Sequence, residues 1–374
     1  MERRDFLKAA AFTTAGAVVG PSLLERAGTM LASPALAATG GTLFGCSAQE
    51  YAGKSREQLI TYLEDLASVP FDTVHNRFPW QTSLVNGYSR WIVDTGHTPI
   101  LSWFTRGNGG DVDWRPIANG AYDARIRTEA SALAVAGWPA YFCFHKEPEN
   151  EPNLGNAADW RAAHDRVYEL FQQEGATNVT FVACLMASTF KGSFGGPDAW
   201  LPPRYDVIGV DGYNRNLSGN WRSFESIFRP ALQVARDRSK QLYVIESGCV
   251  EGGPGRKGDW LREAAATADA WPELIGVSYN HEAGGSNNDA GMNYRVDTSS
   301  LAIQGFRDMA THPAFTGDAG GGTDGSGGTD GGGGTDCTTV TQKLANRRER
   351  TQELRAKLDR QRRKTRRLRA RLNA

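Results

Sequence analysis

From position 42 onward, short apolar runs alternate with longer stretches whose apolar residues recur every three or four positions. The short runs predict strands over 42–46, 73–77, 99–103, 141–145, 179–184, 207–210, 242–245 and 275–279. The longer ones predict helices over 55–68, 81–93, 121–136, 157–174, 224–238 and 257–270, with a closing helix over 298–311. Only the connection from 184 to 207 lacks a clear helical run. Strands alternating with helices imply a parallel sheet covered by helices. Eight such repeats in roughly 275 residues fit a closed (β/α)8 TIM barrel. An open doubly wound sheet would carry a glycine-rich phosphate turn after its first strand. The corresponding turn here, Gly45-Cys46-Ser47-Ala48-Gln49, has no such pattern.

The pattern breaks at both ends. Glu2-Arg3-Arg4-Asp5-Phe6-Leu7-Lys8 precedes a mild apolar run, and Ala35-Leu36-Ala37 offers a small-residue cleavage site. Together these predict a twin-arginine signal peptide over 1–37, read by an export receptor rather than serving as an anchor. The expected catalytic domain is 38–315, in a protein that is secreted or held at the cell wall. Residues 316–336 are nearly all Gly, Thr, Asp and Ser, which cannot bury a core and predict a disordered, flexible linker. The segment 337–374 is rich in Arg, Leu, Lys and Gln without Pro or Gly, and predicts a basic helical tail. Apolar heptad positions such as Val340, Leu344, Leu354 and Leu358 alternate with polar ones such as Arg347 and Thr351, a weak seam for a tail-mediated dimer.

Charge sharpens this division. The 42 Lys/Arg and 42 Asp/Glu cancel, but the tail holds 14 basic and 3 acidic residues, leaving 28 and 39 before it. An acidic body thus carries a tail suited to an anionic polymer or cell wall, or one that simply offsets the body's charge. The five cysteines are scattered, with no spacing for zinc and an odd count for disulfides. No metal or cofactor is expected, and no stretch is apolar enough to be a transmembrane segment.

Candidate chemistry sits where predicted strands end. Phe142-Cys143-Phe144-His145-Lys146-Glu147-Pro148 passes from an apolar strand into ionisable groups, with a proline fixing the turn. Glu246 ends the seventh strand in Leu242-Tyr243-Val244-Ile245-Glu246, and Asp211 and Tyr213 close the sixth beside it. A carboxylate capping an apolar strand is costly to bury without a partner. Two of them, on strands four and seven, suit a retaining glycosidase, which needs an acid/base and a nucleophile about 5 Å apart. A tyrosine hydroxyl beside the nucleophile could hold it ionised. Glu149, Glu151, Glu251 and Glu282 lie farther into the loops and rank lower. Trp80, Trp103, Trp260 and Tyr279 are candidate sugar platforms near the same strand ends.

These segments, in order, resemble glycoside hydrolase family 26, whose members are retaining barrel enzymes best known as endo-β-mannanases. The likeness spans 42–311. It rests on Phe144-His145-Lys146-Glu147-Pro148, Trp160-Arg161-Ala162-Ala163-His164, Gly175-Ala176-Thr177-Asn178-Val179, Val210-Asp211-Gly212-Tyr213, Ile245-Glu246 and Arg295-Val296-Asp297-Thr298. It implies Glu147 as acid/base, Glu246 as nucleophile, Tyr213 as its hydrogen-bond partner and Asp211 as a supporting residue. His145 and Lys146 would then contact substrate. The family carries His directly before the acid/base glutamate, where this chain has Lys146. The expected activity is a retaining endo-β-glycanase acting on a polysaccharide substrate, mannan or a related β-glycan. The alternative is a glycan-binding, wall-associated protein on a degenerate barrel.

Overall fold

The computed structural model of the chain describes residues 41–107, 109–283 and 292–316. The expected signal peptide, linker and basic tail lie outside the described residues. Eight parallel strands close into a barrel in sequence order: β1 Leu43–Ala48, β2 Thr73–Pro79, β3 Thr98–Phe104, β4 Ala140–Phe144, β5 Val179–Met186, β6 Val207–Asn214, β7 Gln241–Cys249 and β8 Leu274–His281. The ring is sealed by β1 pairing with β8, from Leu43↔Gly276 to Ala48↔His281. All eight expected strands are present, most of them extended by a residue or more.

Helices pack outside: α1 Arg56–Ala67, α2 Gly87–Asp94, α3 Trp114–Ala118, α4 Asp123–Ala136, α5 Ala157–Gln173, α6 Pro197–Trp200, α7 Phe224–Asp237, α8 Arg256–Ala270, α9 Ser300–Ala310 and α10 Pro313–Thr316. Local chemistry sets several of their starts. Ser55 with Gln58, Asn86 with Ser89, and Asn156 with Asp159 each form reciprocal caps that satisfy otherwise orphaned backbone donors. The Asn86 cap explains why α2 begins at Gly87 and not near 81. The stretch without a helical pattern contains two single 3₁₀ turns and the four-residue α6. No described helix is long and apolar enough to cross a membrane.

The apolar side chains form two layers. Phe142, Phe171, Phe181, Val210, Val244 and their neighbours fill the space between sheet and helices. A smaller cluster inside the barrel includes Tyr141, Cys143, Val182, Cys184, Tyr243 and Ile245. Tyr243 reaches across this interior, its hydroxyl 2.8 Å from Thr73 Oγ1. A β-carbon at Gly276 would sit 2.4 Å from that ring, so glycine is what lets it lie there. The described cysteines 46, 143, 184 and 249 are buried free thiols.

One irregularity aims the site. Val210 pairs with Val244, but the next residue, Asp211, pairs with Glu246. The β8 side agrees: Val244 faces Val277 and Ser247 faces Tyr279, three steps on β7 against two on β8. A β-bulge at Ile245 therefore adds a residue to β7. Side chains alternate along a strand, and Leu242 and Val244 join the outer layer. Without the bulge, Glu246 would follow them towards the helices. With it, Glu246 turns inward beside Asp211, as bulges near sites commonly do.

Candidate active site

At the C-terminal mouth of the barrel, Glu246 is the most heavily contacted carboxylate, with its side chain only 4% exposed. Its Oε1 accepts from Arg77 Nε at 3.0 Å and from the same guanidinium's terminal nitrogen at 2.7 Å. Its Oε2 accepts from the Tyr213 hydroxyl at 2.6 Å and lies 3.1 Å from Lys146 Nζ. His75 Nδ1 is 3.4 Å from Oε1. Burial alone would raise this acid; Arg77, Lys146, His75 and Tyr213 together overcome burial and hold it far below the usual carboxylate range. Glu246 is therefore an anion at any ordinary pH.

Lys146 sits between two carboxylates, 2.5 Å from Asp211 Oδ2 as well as 3.1 Å from Glu246. Burial opposes its charge, but Asp211, Glu147 and Glu246 outweigh burial and keep the ammonium protonated well above its normal range. Asp211 receives a second contact from the Cys184 thiol, 3.3 Å from Oδ1. Tyr213 stays protonated, because burial first and the Glu246 charge second push its hydroxyl well above 10.

Glu147 belongs to the same group. It is half-buried next to Lys146, near enough that a charge on it would be felt by Lys146, Asp211 and Tyr213. The chain reaches it through two residues with left-handed backbone, His145 at φ 42° and Glu147 at φ 53°. Such conformations are uncommon without glycine and need support from the surroundings. Here the support is dense. His145 N donates to the Trp103 carbonyl at 2.9 Å, and Glu147 N donates to the Cys184 carbonyl at 3.0 Å. His145 Nδ1 accepts from Thr105 N at 3.0 Å, which assigns its proton to Nε2. Burial, then Arg106 and Lys146, lower His145 to about 3, so the ring is neutral. Beyond the turn, Glu149 is buried and accepts from Met186 N and Thr189 Oγ1, both at 2.6 Å.

The structure thus gathers Glu147, Glu246, Lys146, Asp211 and Tyr213 at one end of the barrel. It does not gather the rest of the expected set. His145 is fully buried between Phe104 and Trp114 and braces the turn instead of facing the mouth. Trp80 and Trp103 stack on one another at 4.1 Å and are both buried. Trp260 is buried on α8 against Phe224, with its indole nitrogen bonded to the Arg222 carbonyl. Tyr279 is buried and donates to the Tyr294 carbonyl at 2.6 Å. None of these four aromatics presents a free face to a sugar. Their ring types signal bulk and apolarity, and the barrel uses both for packing.

Several members of the cluster were missed from sequence. Arg77 and His75 lie two apart on β2 and so share a face, but they sit in the polar run His75-Asn76-Arg77, which carries no alternation to single that face out in sequence. Asn280 on β8 donates to the Tyr213 hydroxyl at 3.0 Å and accepts from Ser47 at 2.7 Å. Glu282, ranked low, accepts from Arg77 at 3.2 Å and from Asn280 at 3.2 Å. Phe104 is the aromatic near Lys146, its ring centre 5.9 Å from Nζ. Arg215, which lies over the Tyr213 ring at 5.6 Å, also lines an open cavity of about 560 Å³ together with Val250, Glu251, Arg295 and Thr298 among others. Among the described residues, no group of three His, Cys, Asp or Glu side chains is arranged to hold a metal ion.

No family model matches the chain, and no curated protein matches it in sequence. Solved structures do. The chain is similar to a GH26 β-mannanase from Bacteroides ovatus at 13% identity, covering 74% of this chain and 90% of that one with a TM-score of 0.50. The GH26 domain of an endo-β-mannanase/endo-β-glucanase from Prevotella bryantii gives the same figures, 13%, 74%, 90% and 0.50. A Cellulomonas fimi endo-β-1,4-mannanase matches at 17% identity over 74% of this chain and 72% of that chain, again at 0.50. The expected likeness to family 26 is thereby met at the level of fold: the chain has the eight-stranded parallel barrel of these mannanases.

Proposed function

We propose that the protein is a retaining β-glycanase in which Glu246 is the nucleophile and Glu147 the acid/base. The observation that carries this reading is the state of Glu246. A buried carboxylate held ionised by Arg77 and Tyr213 at the mouth of a barrel is prepared for attack, not for packing. Glu147 is the half-buried carboxylate of the same cluster, on the strand-four turn, where a proton donor is required. In this reading Glu147 protonates the departing oxygen as Glu246 bonds to the anomeric carbon. Glu147 then takes a proton from the water that releases the sugar. The fold shared with mannanases supports a polysaccharide substrate, mannan or a related β-glycan, cut internally. The Arg3-Arg4 segment supports export of the enzyme, and the basic tail supports retention on an anionic polymer.

The test is reducing-sugar release from mannan, galactan, xylan and mixed β-glucans by wild type, Glu147→Ala and Glu246→Ala. Release by wild type alone is expected. Equal release by all three proteins would remove both glutamates from the mechanism.

One observation favours a second reading. Lys146 adds a cation to Glu246 where a nucleophile needs a free lone pair. A glycan-binding protein on a catalytically silent barrel would bind an oligosaccharide tightly without turning it over, and calorimetry alongside the release assay separates the two.

A further inference from the structure

Glu246 takes three hydrogen bonds and, beyond them, faces a buried cation. An ionised carboxylate offers about four acceptor positions, two on each oxygen. Both positions on Oε1 are taken by Arg77, at 3.0 and 2.7 Å. On Oε2 one is taken by the Tyr213 hydroxyl at 2.6 Å, and the Lys146 ammonium stands at 3.1 Å. The remaining position faces the Lys146 ammonium, which gives its hydrogen bond to Asp211 and meets Oε2 as an ion pair, so attack on a sugar carbon is made against that charge. Arg77 is held as a fork, with its other terminal nitrogen on Glu282. Tyr213 is fixed by Asn280. Lys146 is the group on a flexible four-carbon stem, already hydrogen-bonded to Asp211 at 2.5 Å, so its charge beside Glu246 is the one feature a substitution can remove without touching a donor to the carboxylate.

We propose that Lys146 is a positioning residue that makes Glu246 a reluctant nucleophile and a ready leaving group, so that forming the glycosyl-enzyme limits turnover. This rests on the retaining glycosidase reading above. In the first step a Glu246 oxygen bonds to the anomeric carbon while the bond to the departing sugar oxygen breaks, and that oxygen takes the proton of Glu147. In the second, a water oxygen bonds to the same carbon and gives its proton to Glu147. The electron pair of the ester bond returns to Glu246. The Glu246 anion is consumed in the first step and regenerated in the second. A cation that stabilises the anion therefore slows formation of the intermediate and speeds its breakdown. The covalent species should not accumulate.

The experiment measures kcat and burst kinetics on aryl β-glycosides of mannobiose, cellobiose, xylobiose and galactobiose, with leaving groups from dinitrophenol to phenol. Glu246→Ala is the control. In wild type kcat should fall by ~10-fold or more across the aryl series, with no burst of dinitrophenolate. In Lys146→Gln the dependence on leaving group should flatten and a stoichiometric burst should appear. Removing Lys146 leaves Asp211 buried without its cation, so Lys146→Gln/Asp211→Asn serves if the single variant does not fold, with the same pattern expected. A burst in wild type, or a kcat in wild type independent of the leaving group, overturns the proposal whatever the variants do. An unchanged pattern in the variants overturns it too. Wild-type release no greater than that of Glu246→Ala on every glycoside overturns the glycosidase reading itself, and the proposal with it.

Discussion

The Tyr213 hydroxyl accepts from Asn280 Nδ2 at 3.0 Å and lies 2.6 Å from Glu246 Oε2, so its own proton is directed at the carboxylate. A phenol that receives one hydrogen bond from an amide has its donor free for a single target. Tyr213→Phe removes that donor while keeping the ring that packs on Tyr294 at 4.7 Å. A hydrogen bond to a charged group contributes about 1.5–3 kcal/mol, so we expect kcat to change by roughly 10- to 100-fold with the fold intact. Steady-state kinetics with a circular-dichroism control checks it. Activity within twofold of wild type, on the order of experimental error, would show that Tyr213 does not act on Glu246 during turnover.

Arg77 is the counter-ion that lets Glu246 be buried. Arg77→Met should lower the unfolding free energy by about 3–5 kcal/mol, because it leaves a carboxylate without its main partner. The 28% exposure of the Arg77 side chain places the expected loss towards the lower end. In Arg77→Met/Glu246→Gln the unpaired charge is gone, and much of the loss should be recovered. Urea unfolding of the two single variants and the double variant closes the cycle. Strict additivity would mean that the pair is not coupled.

Much of this site could be read in the chain because Glu147, Asp211, Tyr213 and Glu246 each come at or just after the end of an apolar run, although β6 and β7 continue past theirs to Asn214 and Cys249. Nothing in the sequence announced the bulge at Ile245, since a bulge changes pairing and not residue type. By alternation alone Glu246 and Val244 share a face, yet Val244 packs against helices and Glu246 enters the mouth. Lys146 was expected beside the substrate. In the fold its ammonium is occupied by Asp211 and Glu246, contacts that join β4, β6 and β7 and have no short-range signature. The tryptophans failed for a different reason: an aromatic residue reads the same in sequence whether it lines a cleft or fills a layer.

Glu149 makes stability depend on pH in an unusual direction. Burial raises its carboxyl to about 7, partly offset by Thr189 and the backbone, with the Glu147 charge adding to the rise. A folded-state value above the unfolded one means that the folded protein binds more protons between the two. Stability from this group is then fully present near pH 4.5, declines as pH rises, and is lost above about 7. The span corresponds to about 3 kcal/mol as an order of magnitude. Glu149→Gln should remove that slope, matching wild type near pH 5 and exceeding it near pH 8, roughly at the edges of the window. Denaturation midpoints across that range test it, and parallel curves for the two proteins would rule Glu149 out as the source.

Gly248 offers a way to disturb the nucleophile's partner without touching a polar atom. It lies two residues beyond Glu246, and a β-carbon there would stand 2.7 Å from Tyr213 Cδ1 and 3.1 Å from Tyr294. Contacts that short force something to move, and the nearest atoms belong to the Tyr213 ring, which packs on Tyr294 at 4.7 Å, so that ring is the part expected to shift. Overpacking of this kind costs about 1–3 kcal/mol of stability. Its larger effect should be on chemistry, because the bond from Tyr213 to Glu246 is only 2.6 Å and depends on where the ring lies. We expect Gly248→Ala to shift kcat in the same direction as Tyr213→Phe and to have little further effect in a Tyr213→Phe background, where the hydrogen bond is already absent. Kinetics of the two single variants and the double variant decide it. Full additivity of the two effects would show that Gly248 acts on the site by some path other than Tyr213.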